Sequence, residues 1–445
     1  MTSSSKEPTD LPELVDPKLL RRRRADAPAI GEGQALDERL NDAGAAAPLE
    51  GTPSQSRGLW WQYKHLAPVP ITLVAGVVLT TIMTPYFKDP LIANLIKEHF
   101  NPHYVGILGF DAFLGFVVPF FETMANSETY GIIPLGYFIT THLGWQMAGA
   151  IESSRVDART NFFVHFYTLV VVVALVIGSY VITPLVWIVA YLSFNKVAST
   201  ALKFDHDVRP KRVHQARIVA ACVVVIVGFI PFLAGMVLSH DKAKFIWNTA
   251  LFFTTPLLWQ LIWSPFGRGP PKMHKHTTVA AAIDREQIKG HRAAMNSLLI
   301  IAGGCIAWHM YAIIAVIKDP TIVSSLYNVL MHYEGHLHTI LFIWVDEIVL
   351  WAGFLMIPLV QEGLQAAALF AAATLVVGPG AAVAFYFFWR EAQYLDIVEK
   401  PHESLEDRKE RYRSQTLPHK VKWTVRQVQE PWKRTLSLGR RQPAS

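Results

Sequence analysis

The chain has 445 residues, 51% of them hydrophobic and only 17% charged, and its mean hydropathy is positive. Several apolar runs reach the length of about 20 residues that a helix needs to cross a bilayer. This composition argues for an all-α, polytopic transmembrane helix bundle and against a soluble multidomain protein. The formal net charge of +6 sits mostly in tails and loops, where it suits anionic lipid headgroups, and nothing points to a nucleic-acid partner.

In chain order, residues 1–58 are polar, rich in Ala, Gly, Pro, Ser and charge, and include Arg21, Arg22, Arg23 and Arg24. They are expected to form a disordered tail with no cleavable signal. Trp60, Trp61 and Tyr63 open the membrane region as an interfacial aromatic belt would. Predicted spans then fall at about 69–86, 105–125, 131–151, 162–182, 216–238, 245–264, 296–317, 337–360 and 365–389. The bundle therefore covers 59–390 with about eight or nine spans. The run after 162 continues past Thr183 and Pro184 to Phe194. It predicts either a helix kinked at the proline or a span followed by a re-entrant piece. The loops 195–217 and 265–294 are rich in Lys and Arg, and two helices separate them, so both are expected in the cytosol. A basic, charged tail over 391–445 closes the chain. Cys222 and Cys305 fall inside apolar spans and read as small buried hydrophobes.

The most informative stretch is HLHTILFIWVDEIVLWAGFLMIP at 336–358, which carries Asp346 and Glu347 near its middle. A carboxylate at the centre of a spanning helix costs about 2.5–3.5 kcal/mol on insertion scales, so an acid pair there is a candidate functional site. The neighbours of Asp346 at three and four residues are Phe342, Ile343, Val349 and Leu350; those of Glu347 are Ile343, Trp344, Leu350 and Trp351. Spacing gives Glu347 the richer aromatic face and does not choose the acid. Other polar groups sit where lipid is expected: Asp111, Glu122, Asn126, His142 and Gln146. Glu122 follows Pro119-Phe120-Phe121 and reads as a cavity-lining acid or a helix end. Glu152 and Arg155, three residues apart, share a helical face and can pair. Trp259 and Trp263 share a face four residues apart, with Gln260 beside them, as packing or as a ligand box. His332, Glu334, His336 and His338 cluster ahead of the acid-bearing span. An interfacial loop is the favoured reading there, so no metal and no cofactor is expected. There is no aspartate-rich DDxxD motif, DxDD acid, P-loop, GxSxG elbow or HExxH helix. Diphosphate cleavage, nucleotide hydrolysis and serine or zinc hydrolysis are disfavoured accordingly.

A desolvated acid among aromatic walls suits proton-initiated cyclisation of a lipophilic isoprenoid. The carboxyl protonates an epoxide or alkene, aromatic faces stabilise the migrating cation by about 0.5–2 kcal/mol each, and excluded water cannot quench it. Four segments carry a resemblance: ESSR at 152–155, TPLVWIVAYL at 183–192, FFTTPLLWQLIW at 252–263 and FIWVDEIVLW at 342–351. In this order they resemble the fungal integral-membrane terpene cyclases of the ascofuranone and ascochlorin pathways. The resemblance covers about residues 110–390. It implies a helical membrane protein that protonates a terminal epoxide on a prenylated aromatic and directs cation cyclisation, without a metal; the expected location is the endoplasmic reticulum membrane. By that similarity Asp346 is the acid, Glu152 and Arg155 its polar support, and Gln260 lines the pocket, with Trp259, Trp263, Glu122 and Phe342 as further substrate-binding candidates. The expected partners are a lipophilic isoprenoid or meroterpenoid and the bilayer itself. The alternative is a proton-coupled transporter that uses Asp346, Glu347, Glu152 and Arg155 as a relay. A non-catalytic scaffold whose tails recruit partners is a third possibility.

Overall fold

The computed structural model describes residues 66–88, 128–155, 161–194, 213–238, 279–332 and 338–400, with isolated positions elsewhere. The described residues belong to one compact unit, Gln62–Ser445, and they contain helices and no strand. The tail over 1–58, the predicted span at 245–264, most of that at 105–125 and most of the C-terminal tail lie outside them.

The helices are α1 (Pro68–Lys88), α2 (Glu128–Ser153), α3 (Phe162–His165), α4 (Tyr167–Ile177), α5 (Ser179–Ile182), α6 (Val189–Phe194), α7 (Gln215–Leu238), α8 (Val279–Lys318), α9 (Thr321–His332), α10 (His338–Gln361), α11 (Leu364–Val377) and α12 (Pro379–Glu399), with a π-helical turn at Thr183–Ile188 between α5 and α6. Two stretches, Asp284–Lys318 in α8 and Thr339–Gln361 in α10, are long and apolar enough to cross a membrane.

The core forms around α2. From Gly131 to Ser153 only Ile132 and Tyr137 are not fully buried, as expected of a helix apolar on every side. It packs against α7, α8, α10 and α12. Small residues set a close crossing with α12, since a Cβ added to Gly144 would lie 2.5 Å from the Gly380 carbonyl oxygen. One added to Gly380 would lie 2.2 Å from the Thr140 carbonyl oxygen. Backbones approach this closely only where both helices present small residues. Several outward faces are apolar too: Val219, Val223 and Val227 recur every fourth residue on α7, and Ile300, Ile314 and Ile317 are exposed on α8.

The structure departs from the sequence-based expectation at several places. The long run after 162 is irregular at Pro184, as one expectation had it, in a π turn, but it is also broken at Phe166 and at Gly178, whose φ of 127° suits glycine. The predicted span 365–389 is two helices parted at Gly378. The charged stretch 279–294, expected as loop, is the start of α8. Its buried positions Gln287, Gly290, His291 and Ala294 recur at helical spacing, and His214 contacts Glu286 at 2.6 Å, so charge on one face hides an amphipathic helix. The expected tail from 391 is helical through Glu399, because Tyr394, Leu395 and Ile397 continue the buried face of α12.

The Gly144–Gly380 crossing gives a direct test. Gly380→Val should push a side chain into the Thr140 carbonyl and abolish the folded, monodisperse species seen by size-exclusion after detergent extraction. Gly303→Val, where an added Cβ meets nothing within 4 Å, should match the parent protein.

Candidate functional site

Two groups of buried polar side chains meet α2 at different heights. The first lies at its C-terminal end. The Arg155 guanidinium donates to Glu152 through Nε (3.0 Å, to Oε2) and Nη2 (2.8 Å, to Oε1), a bidentate pair three residues apart. Its Nη2 also donates to Oε1 of Glu391 on α12. The other Glu391 oxygen contacts His291 Nδ1 of α8 at 2.7 Å. Next to Glu391, Arg390 donates to Glu152 Oε1 at 3.4 Å, to the Tyr394 hydroxyl at 3.0 Å, and to the Tyr191 hydroxyl of α6. Aromatic faces cover the cations: Arg155 Cζ lies 4.9 Å from the Tyr394 ring centre, and Arg390 Cζ lies 5.3 Å from those of Tyr191 and Phe387. Glu152, Arg155, His291, Arg390 and Glu391 are all buried. The result is two guanidiniums, two carboxylates and an imidazole joining α2, α8, α12 and α6.

The second group is centred on α10. Asp346 and Glu347 are 1% and 4% exposed, so neither acid is open to solvent. Glu347 accepts a hydrogen bond from the Thr141 hydroxyl of α2, and its Oε2 is buried with no hydrogen-bond partner. One turn before Thr141, Tyr137 pairs its hydroxyl with His309 Nδ1 at 2.7 Å and brings its ring within 6.3 Å of that of Trp344. Successive helical residues diverge by about 100°, so Asp346 and Glu347 face different neighbours. Asp346 shares its face with Gly353, seven residues on. A Cβ at Gly353 would lie 3.0 Å from both Pro184 and Ile188 of the π turn. Trp187 of that turn meets Phe354, their ring centres 6.3 Å apart.

Between the two groups, His142 contacts the Phe138 carbonyl and the Ser179 hydroxyl, both at 2.7 Å. The break at Gly178 starts α5 at Ser179 and so sets the broken helix against α2. Gln146, one turn beyond His142, is fully buried with neither amide atom hydrogen-bonded.

Of the residues singled out in the sequence, Asp346, Glu347, Glu152 and Arg155 are buried, and Phe342 is partly buried against the core. Glu122, Trp259, Gln260 and Trp263 lie outside the described residues. The described partners of Glu152 and Arg155 include Glu391, Arg390 and, through Glu391, His291. Thr141, the level of Glu347, is eleven residues before Glu152, about 16 Å along α2. Sequence reading missed His291 and Glu391 because they fell in a presumed loop and a presumed tail, and Arg390 because it stood at the very end of the presumed bundle. The signal was present in the repeat Phe387, Arg390, Glu391, Tyr394, one helical stripe running on from the aromatic segment. The free cysteines are buried as expected, and Cys305 donates to the Thr140 carbonyl at 3.3 Å.

No family model, curated protein or solved structure matches the chain.

Removing one partner from a buried ion pair costs about 3–5 kcal/mol, because the charge left behind is neither solvated nor paired. Glu391→Ala takes one of its two carboxylate partners from Arg155 and the partner of Nδ1 from His291, so it should lower the thermal unfolding midpoint of the detergent-purified protein sharply. Glu391→Gln, which keeps a hydrogen-bond acceptor, should lower it less.

Proposed function

We propose that this chain is a multi-pass protein of the endoplasmic reticulum membrane that cyclises a lipophilic isoprenoid or prenylated aromatic by acid initiation, as the resemblance of its four segments implies. The observation that carries the reading is an acid pair buried at the middle of a helix long enough to cross a bilayer, with Phe342, Trp344 and Trp351 three or four residues from one acid or the other and packed against the core. The exposed valines and isoleucines of α7 and α8 support contact with lipid.

The chemistry balances as an isomerisation. Asp346 gives its proton to the oxygen of a terminal epoxide as the carbon–oxygen bond breaks. The electron pair of the neighbouring alkene closes onto the electron-poor carbon, and the positive charge moves along the chain past aromatic faces. The last cation loses a proton to a base, and a proton returns to Asp346. Glu347, hydrogen-bonded to Thr141, is the second carboxyl of the site. Burial keeps water from trapping the cation early.

General acid catalysis supplies about 10²–10⁴-fold in rate, so Asp346→Asn should lose product by at least that range. Microsomes carrying the variant would be fed an epoxy-farnesyl phenol, with protein abundance measured in parallel. Near-normal turnover by the variant removes Asp346 from the mechanism.

A second reading, proton-coupled transport, draws on the buried Glu152–Arg155–Glu391–His291 chain. It predicts solute uptake into proteoliposomes that collapses with the proton gradient. The cyclase reading predicts turnover that is indifferent to that gradient.

A further inference from the structure

Between α1 and the broken helix runs a groove of about 670 Å³, within the size range of small-molecule sites. One wall is the α1 stripe of Thr72, Gly76, Thr80 and Thr84; the other is Val181 and Leu185. From Thr72 to Thr84 the helix rises about 18 Å, so the groove is elongated. None of the described residues that line it is charged.

Its threonines are apolar in effect. Thr72 donates to the Pro68 carbonyl at 2.9 Å, Thr80 to Gly76 at 2.7 Å, Thr81 to Val77 at 2.9 Å and Thr84 to Thr80 at 2.8 Å. With every hydroxyl engaged by its own helix, the groove presents methyl groups and aliphatic side chains. Gly76 keeps its middle clear, since a Cβ there would meet nothing within 4 Å. The outer lip is apolar and open, with Leu73 59% and Val77 69% exposed. A charged headgroup finds no partner in such a trough, whereas a long hydrocarbon chain does.

The position of the groove decides which chain. Leu185 of its inner wall belongs to the π turn, and Pro184 and Ile188 of that turn lie against α10 at Gly353. Asp346 lies on the same face of α10 as Gly353, about 10 Å along the helix. We propose that this groove holds the isoprenoid tail of the substrate, taken in sideways from the bilayer so that its reactive end points toward Asp346. The inference rests on the cyclase reading and adds the place where the substrate chain is held and its length is sensed.

The test uses the full chain in phosphatidylcholine nanodiscs, with a farnesyl phenol carrying a diazirine on its distal isoprene unit as probe. After illumination, mass spectrometry maps the adducts. The expected result is labelling within Pro68–Lys88 that excess unlabelled farnesyl phenol removes. Gly76→Trp, which fills the groove, should abolish the labelling. Val74→Trp, on a residue 66% exposed and outside the groove, should keep it and so controls for folding. With a geranyl substrate, Gly76→Trp should keep more turnover than with a farnesyl one.

Adducts that avoid α1, or that persist in Gly76→Trp, overturn the proposal. So does labelling of the same residues by a diazirine-bearing acyl lipid that farnesyl phenol does not displace, which marks an ordinary lipid contact. Competed labelling on α1 with turnover that survives Asp346→Asn keeps the groove and sinks the acid assignment. Turnover that depends on Asp346 with no label on α1 does the reverse.

Discussion

The arrangement depends on a guanidinium that has been taken out of water. Arg155 is 1% exposed, and an ion so placed carries a desolvation cost of several kcal/mol unless its donors are met. It meets two carboxylates, Glu152 on its own helix and Glu391 on α12, and an aromatic face at Tyr394. Glu391 in turn reaches His291, so α8 joins the same knot. A guanidinium offers donors in a rigid planar fork, which makes this knot directional in a way that apolar packing is not. Its geometry is satisfied only when α2, α8 and α12 are in one register. The glycine crossing of α2 and α12 then brings the backbones together, and the rows of side chains further along α2 follow from that register.

From this end the positions along α2 can be read as a sequence of levels. His142 holds Ser179, and Glu152 holds Arg390, which reaches Tyr191. Residue numbers rise together on both sides, so α2 and the broken helix run parallel. Parallel neighbours that close in sequence require the chain to return, and α4 supplies the return stroke. The breaks in the second strand of this pairing have physical causes. Gly178 takes a positive φ that a residue with a Cβ would resist, and the π turn begins where Pro184 removes a backbone donor. Thr183, Pro184, Trp187 and Ile188 of the turn are buried, so the irregular backbone is enclosed by protein and not presented outward. Irregular structure at membrane depth is tolerated only under that condition.

Helices that are apolar on every side were legible from sequence because the signal is length and composition alone. The predicted spans at 131–151, 216–238 and 337–360 lie within Glu128–Ser153, Gln215–Leu238 and, to within one residue, His338–Gln361. Length and composition alone did not dictate the burial of Asp346 and Glu347, since Ile348 beside them is 54% exposed. What failed was the reading of charge as punctuation. Arg285, Lys289 and Arg292 suggested a loop, and the charge from Glu391 onward suggested a tail, yet both segments are helical: the second supplies Glu391 to Arg155, and the first supplies His291 to Glu391. A buried ion pair and a solvated one look the same in a sequence. Only the helical repeat of the apolar residues between the charges separates them, and that repeat was masked by the count of Lys and Arg. Pairing between distant segments, such as Arg155 with Glu391 across 236 positions, leaves no local trace at all.

The distance between the charge knot and the acid pair has a chemical consequence. A guanidinium beside a carboxyl favours its ionised form, which has no proton to give. Arg155 is matched to Glu152 and Glu391 about 16 Å further along α2 than Thr141, so its charge is met at that level. Glu347 has Thr141 as its neighbour, and the Trp344 side chain of the same helix packs toward Tyr137. Ion pairing among Glu152, Arg155 and Glu391 thus fixes helices at one level of α2, while a hydroxyl of the same helix meets Glu347 at another.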